Sequence, residues 1–138
     1  MQMPLPHAGT SGADKGAKPL SPPELRFEQQ LKKGVLEMLV LGLICQAPTY
    51  GYELLGAVAS RSDGLFVLKE GTLYPILYRL EDDGLITAAW QTGEGRATPK
   101  KYYTVTEAGR AAQTAQWQIW QKFSACVDGF AAQKEEKP

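Results

Sequence analysis

The stretch EGTLYPILYRLEDDGL, residues 70–85, restricts the fold of this chain more than any other segment. Leu73, Ile76, Leu77 and Leu80 fall at i, i+3, i+4 and i+7, the spacing of one face of an amphipathic helix. Pro75 is tolerated only near a first turn, so the helix is expected to begin close to Glu70. Asp83-Gly84 supplies a glycine C-cap. The other face carries Thr72, Tyr74, Pro75, Tyr78 and Arg79, where a solvated helix would use Glu, Lys and Gln. A hydroxyl-rich, aromatic face with one guanidinium suits a partner other than water.

The flanking sequence supplies a small domain around this helix. Residues 1–23 are rich in Gly, Pro and Ala and lack an apolar run, so they are expected to be a disordered tail, neither signal peptide nor anchor. Glu24 to Gln46 predicts a deeply packed helix, stopped by Pro48. Its apolar run, Val35 to Cys45, is too short to cross a bilayer and contains Glu37. Thr49 is the candidate N-cap of a second helix, with Glu53 in its opening turns. Ser62-Asp63-Gly64 predicts a turn, and Leu65 to Leu68 a short extended run. Leu85–Trp90 and Lys101–Val105 predict two strands joined by the exposed tip QTGEGRATPK. Thr106 is the expected cap of a last helix over residues 107–132, with 133–138 frayed.

The fold class is therefore mainly α, in α+β form. Residues 24–106 form a winged helix-turn-helix, followed by a long C-terminal dimerisation helix. In that arrangement the third helix enters the major groove and the hairpin lies along the backbone. The expected DNA surface comprises Tyr50 and Tyr52 near the second helix, and Lys69, Gly71, Thr72, Tyr74, Tyr78 and Arg79 on the third. Arg96, Lys100 and Lys101 extend it onto the wing. One of the two tyrosines flanking Gly51 has to pack inward, which makes Tyr52 the weaker member. Arg79 can fork onto guanine, grip a phosphate, or simply pair with Glu81 or Asp82. The formal net charge is zero, and Gly34 to Thr106 is slightly acidic, so non-specific affinity for nucleic acid should be weak.

Enzymatic readings fare poorly. The one histidine, His7, lies in the tail, which disfavours a His-based triad. Cys45 and Cys126 match no zinc spacing, and TGEGRAT lacks the Gly-Lys-Ser/Thr end of a P-loop. Neither metal nor cofactor is expected. Two distant cysteines fit a reducing cytoplasm, where they fill core or interface gaps. The alternative function is a winged-helix small-molecule or protein-interaction module that does not bind DNA.

Several segments together resemble the PadR family of bacterial transcriptional regulators. They are Tyr50-Gly51-Tyr52-Glu53-Leu54, Gly71-Thr72-Leu73-Tyr74-Pro75, Arg79-Leu80-Glu81 and Asp83-Gly84-Leu85-Ile86, then Lys101-Tyr102-Tyr103 with Thr106-Glu107-Ala108-Gly109. The similarity runs from about Lys33 to the end of the last helix, and the short C-terminus resembles the subfamily with a single terminal helix. The resemblance implies a homodimeric repressor on a palindromic operator. The last helix supplies an apolar arc for that dimer: Trp117, Ile119, Trp120, Phe123, Cys126, Val127 and Phe130. Trp117 and Trp120 lie one turn apart; either both indoles simply pack the interface or, as the resemblance to multidrug-sensing members implies, they hold a planar aromatic inducer at the dimer centre, with Trp120 the better placed.

Overall fold

The computed structural model describes residues 18–95 and 97–135. The first helix, α1, spans Pro22–Gln46 and starts two residues earlier than expected, inside the presumed tail. Ser21 caps it. The Ser21 Oγ accepts from the Glu24 backbone N–H at 3.4 Å, and the Ser21 N–H donates to Glu24 Oε1 at 2.9 Å. Pro22 and Pro23 stand where a helix has no use for a backbone N–H, so they initiate the helix rather than delay it. Leu36, Val40, Leu41 and Ile44 bury one side of α1, whereas Leu25, Phe27 and Leu31 near its start are exposed.

The expected strand at Leu65–Leu68 does not form, and a two-residue strand that sequence periodicity missed takes its place. β1 (Thr49–Tyr50) pairs antiparallel with β3 (Lys100–Val105), and β3 pairs with β2 (Ile86–Gln91), giving the order β1-β3-β2. Two residues are too few to show alternation. Leu65–Leu68 does alternate, with Phe66 and Leu68 on the core and Leu65 and Val67 exposed. Its backbone, however, is satisfied locally: the Phe66 N–H donates to Ser62 Oγ at 2.9 Å, and that hydroxyl reaches back to the Phe66 carbonyl at 3.3 Å.

α2 spans Gly51–Arg61, and its N-cap is Tyr50 rather than Thr49. Thr49 is committed to the sheet, and its hydroxyl donates to Glu53 Oε1 at 2.7 Å instead of accepting a backbone N–H. α3 spans Glu70–Asp82, starting where expected, although Pro75 falls in its second turn and removes one helical hydrogen bond there. Gly84 ends the helix at φ +79°, and the Gly84 and Leu85 N–H groups donate to the Glu81 and Leu80 carbonyls at 3.0 and 2.9 Å. This is the reciprocal pair of bonds that a left-handed glycine makes possible after a helix. Leu73, Leu77 and Leu80 are fully buried and Ile76 nearly so, packed with Leu41, Ile44, Leu54, Ile86 and Tyr103.

α4 spans Glu107–Glu135, past the end expected at residue 132, and 136–138 lie outside the described residues with 1–17. Thr106 does cap it. Its hydroxyl accepts from the Gly109 N–H at 3.0 Å and donates to the Gly84 carbonyl at 2.7 Å, while its N–H donates to the Leu85 carbonyl at 3.0 Å. One threonine thus joins the end of α3 to the start of α4. Gly109 sits where any Cβ would collide with the Leu85 carbonyl and with Val105 Cγ2. Backbone cannot yield as a side-chain tip can. Gly109→Ala is therefore expected to cost about 1–3 kcal/mol, read as a lowered urea midpoint. An unchanged midpoint would mean that the α3–α4 junction is loose.

Candidate nucleic-acid interface

Three elements converge on one open groove: the start of α2, the outer face of α3, and the β2–β3 hairpin. Tyr50, Tyr52, Tyr74, Tyr78, Lys100 and Lys101, all expected from sequence, line it, together with Trp90 and Thr98, which were not. Gly51 makes the convergence possible. A Cβ there would strike the Tyr74 hydroxyl, so the absent side chain lets α3 lay Tyr74 against the first turn of α2. Tyr74 is half-buried as a result.

Of the two tyrosines flanking Gly51, Tyr50 packs inward and Tyr52 faces out, the reverse of the expected weighting. The Tyr50 ring meets Tyr102 edge-on at 5.2 Å, and Lys100 Nζ stands 5.0 Å from its centroid. Tyr52 is 79% exposed. Tyr78 and Trp90 are also largely exposed, and Trp90 sits across the hairpin from Lys101. A strand residue paired beside a lysine near a hairpin tip was the signal that could have found Trp90. Lys69 is the N-cap residue of α3, and its carbonyl accepts from the Thr72 and Leu73 N–H groups at 3.0 Å. Gly71 and Thr72 are exposed on the first turn, with open space around Gly71.

Arg79 does not join the groove. It lies on the α1 flank of α3, and its partner is Glu37 of α1 rather than Glu81 or Asp82. The Nη2 and Nε donors reach the same Glu37 Oε1 at 3.1 and 3.2 Å. Arg96 lies outside the described residues.

The floor of the groove is Tyr103, 1% exposed. Burial above all, then the neighbouring Tyr74, Glu81 and Tyr78, push its phenol up to about 12. Burial also raises the Cys45 thiol, with Arg110 opposing the shift. Cys45 packs against the core as expected; Cys126 is exposed.

On α4, Ile119, Phe123, Val127 and Phe130 are all more than half exposed. Trp117 and Trp120 do not share a pocket within one chain. Trp117 faces a groove with Gly42, Leu43 and Phe66, where its indole N–H donates to Gln113 Oε1 at 3.0 Å. Trp120 faces another with Leu31, Val35, Ile119 and Phe123. Met38 of α1 lines both. Among the described residues there is no cluster able to hold a metal ion and no helix long and apolar enough to cross a membrane.

A three-helix core with a hairpin wing and a long last helix defines a winged-helix protein of the transcription-regulator class. The chain belongs to the transcriptional regulator PadR-like family, whose model matches residues 40–115. An uncharacterized protein of Lysinibacillus sphaericus is 31% identical over 71% of this chain and 89% of its own length. The negative transcriptional regulator PadR of Bacillus subtilis is 32% identical over 55% of this chain, a match that spans only 41% of that protein. The crystal structure of a PadR family transcriptional regulator from Eggerthella lenta superposes with a TM-score of 0.65, at 29% identity over 81% of this chain and 92% of that one.

Tyr103 gives a pH test of the groove floor. Its folded pKa lies above the unfolded value near 10, so folding favours the neutral phenol. The stability it contributes is full below pH ~10 and is lost as pH rises toward its folded value of about 12. The urea midpoint should fall across that window in the wild type and fall less steeply in Tyr103→Phe. Equal slopes would show that the phenol is hydrated.

Proposed function

We propose that this chain is a homodimeric transcriptional repressor of the cytoplasm, working by binding and not by catalysis. Its α3 helix enters the major groove of a palindromic operator while the hairpin grips the flanking backbone. The observation that carries this is the groove shared by α2, α3 and the wing. Tyrosine hydroxyls and two lysines suit phosphate oxygens, and the exposed Gly71-Thr72 turn lets backbone approach a duplex closely. The weak overall charge leaves discrimination to the helix face rather than to bulk attraction.

The dimer reading rests on the exposed apolar face of α4, with Ile119, Phe123, Val127 and Phe130, continued by Leu31 of α1. Water is a poor neighbour for such a surface, and a two-fold copy would cover it symmetrically. Cys126 falls on the same arc. Two α3 helices about 34–36 Å apart would then match half-sites one turn apart. For a planar aromatic inducer, Trp120 is the better anchor. Its groove is apolar and opens beside the dimer face, whereas the Trp117 indole is already hydrogen-bonded elsewhere. That the Bacillus subtilis relative is a negative regulator supports repression as the outcome.

The test is a gel shift on DNA upstream of the protein's own gene, with sedimentation of the same samples. The wild type should sediment as a dimer and give one discrete shifted band. Phe123→Glu should sediment as a monomer and lose that band. A variant that still dimerises would remove α4 from the interface, and a wild type that shifts no fragment would favour a module without DNA binding.

A further inference from the structure

Arg79 and Glu37 stand 42 residues apart and on different helices, yet they form the one ion pair that joins two helices among the described residues. The side chains are 58% and 36% exposed, so the pair adds little to fold stability. Its geometry is specific. Glu37 Oε1 accepts from Nε at 3.2 Å and from Nη2 at 3.1 Å, which occupies one edge of the guanidinium. Nη1 makes no hydrogen bond among the described residues. The second N–H of Nη2 and one N–H of Nη1 therefore remain as a parallel pair along the adjacent edge, in one plane.

Those two free N–H groups have the spacing that guanine O6 and N7 accept. A long, unrestrained arginine loses rotamer freedom on binding, whereas one fixed in advance does not. A phosphate could take the same two donors as a fork, but it carries a full negative charge that the Glu37 carboxylate repels, whereas guanine O6 and N7 are neutral acceptors. We infer that Glu37 is a specificity-determining positioning residue: it holds Arg79 edge-on so that α3 reads a guanine rather than gripping phosphate. Thr72, two turns before Arg79, lines the same α1–α3 groove and marks where the flanking base would lie. This inference rests on the reading of α3 as the helix that enters the major groove.

The experiment uses the full chain and duplexes selected by the wild type from a random pool. Each guanine of the selected site is replaced in turn by 7-deazaguanine, which lacks the N7 acceptor. Affinity for an unselected duplex is measured alongside. The wild type should lose roughly 5- to 100-fold at one guanine. Arg79→Ala should be indifferent at that same guanine. Glu37→Ala should share the indifference, bind the selected site more weakly and bind unselected DNA more tightly, because a negative charge has gone. Glu37→Gln, which keeps an acceptor at the same place, should retain an intermediate preference. If Glu37→Ala binds both duplexes more tightly and keeps its sensitivity at that guanine, Glu37 merely repels DNA and the inference is overturned. If it binds both more weakly and melts earlier, Glu37 is structural and the inference is likewise overturned. If Arg79→Ala keeps every preference of the wild type, the assignment of α3 as reader fails, and Glu37 falls with it.

Discussion

Burial of the leucine edge of α3 is the constraint on which the rest depends. Leu73, Leu77 and Leu80 are inaccessible and Ile76 nearly so, and together they share one core with residues of α1, α2 and the sheet. A helix so packed has no freedom to rotate about its axis. At about 100° per residue, fixing those positions turns Gly71 and Tyr78 to solvent. The same rotation sets Tyr74 toward Gly51 on one side and Thr72 and Arg79 toward α1 on the other. A slip by a single residue would drive Tyr78 or Arg79 into the core at the cost of an unpaired polar group. The composition of the outer face is therefore free to serve a partner, because the inner face alone specifies the fold.

The long last helix is tied to this unit by polar contacts as well as by packing. Thr106 bonds to both the Gly84 and Leu85 carbonyls. Gln113 Nε2 donates to the Met38 carbonyl at 3.2 Å, and Arg110 Nη1 to the Cys45 carbonyl at 3.3 Å. Gly42 lets Gln113 lie directly on α1. The apolar face of α4 and the outer face of α3 are thus carried on one connected frame. In the proposed dimer, a change in how two copies meet along α4 would change the distance between their α3 helices, which would link the proposed inducer site to operator spacing without any change inside the winged helix.

What was legible in the sequence was local. The i, i+3, i+4, i+7 leucines, the glycine after α3 and the threonine before α4 each act within a few residues, and all took the expected form. The strand at Thr49–Tyr50 was not legible, because it exists only by pairing with Tyr102 and Tyr103 more than fifty residues away. The prolines before Glu24 read as tail because their helix-starting role depends on Ser21 closing a capping box. The partner of Arg79 was sought among its neighbours on α3 and proved to be on α1. Trp117 and Trp120 are adjacent on a helical wheel, but which groove each faces is decided by where α1 crosses α4. The tyrosine and lysine members of the groove between α2, α3 and the hairpin were legible as residues, while their convergence, and the part of Trp90 in it, required the tertiary arrangement.

The central claim is that the groove between α2, α3 and the hairpin is where this chain meets DNA. Hydroxyl-radical footprinting of the protein, read by mass spectrometry with and without a bound duplex, tests it directly, because Tyr52, Tyr78 and Trp90 are exposed reporters on that face alone. The account predicts that DNA protects those three from oxidation and leaves Phe123 and Phe130 on α4 unchanged. Protection confined to α4, with Tyr52, Tyr78 and Trp90 oxidised as in the free protein, would contradict it.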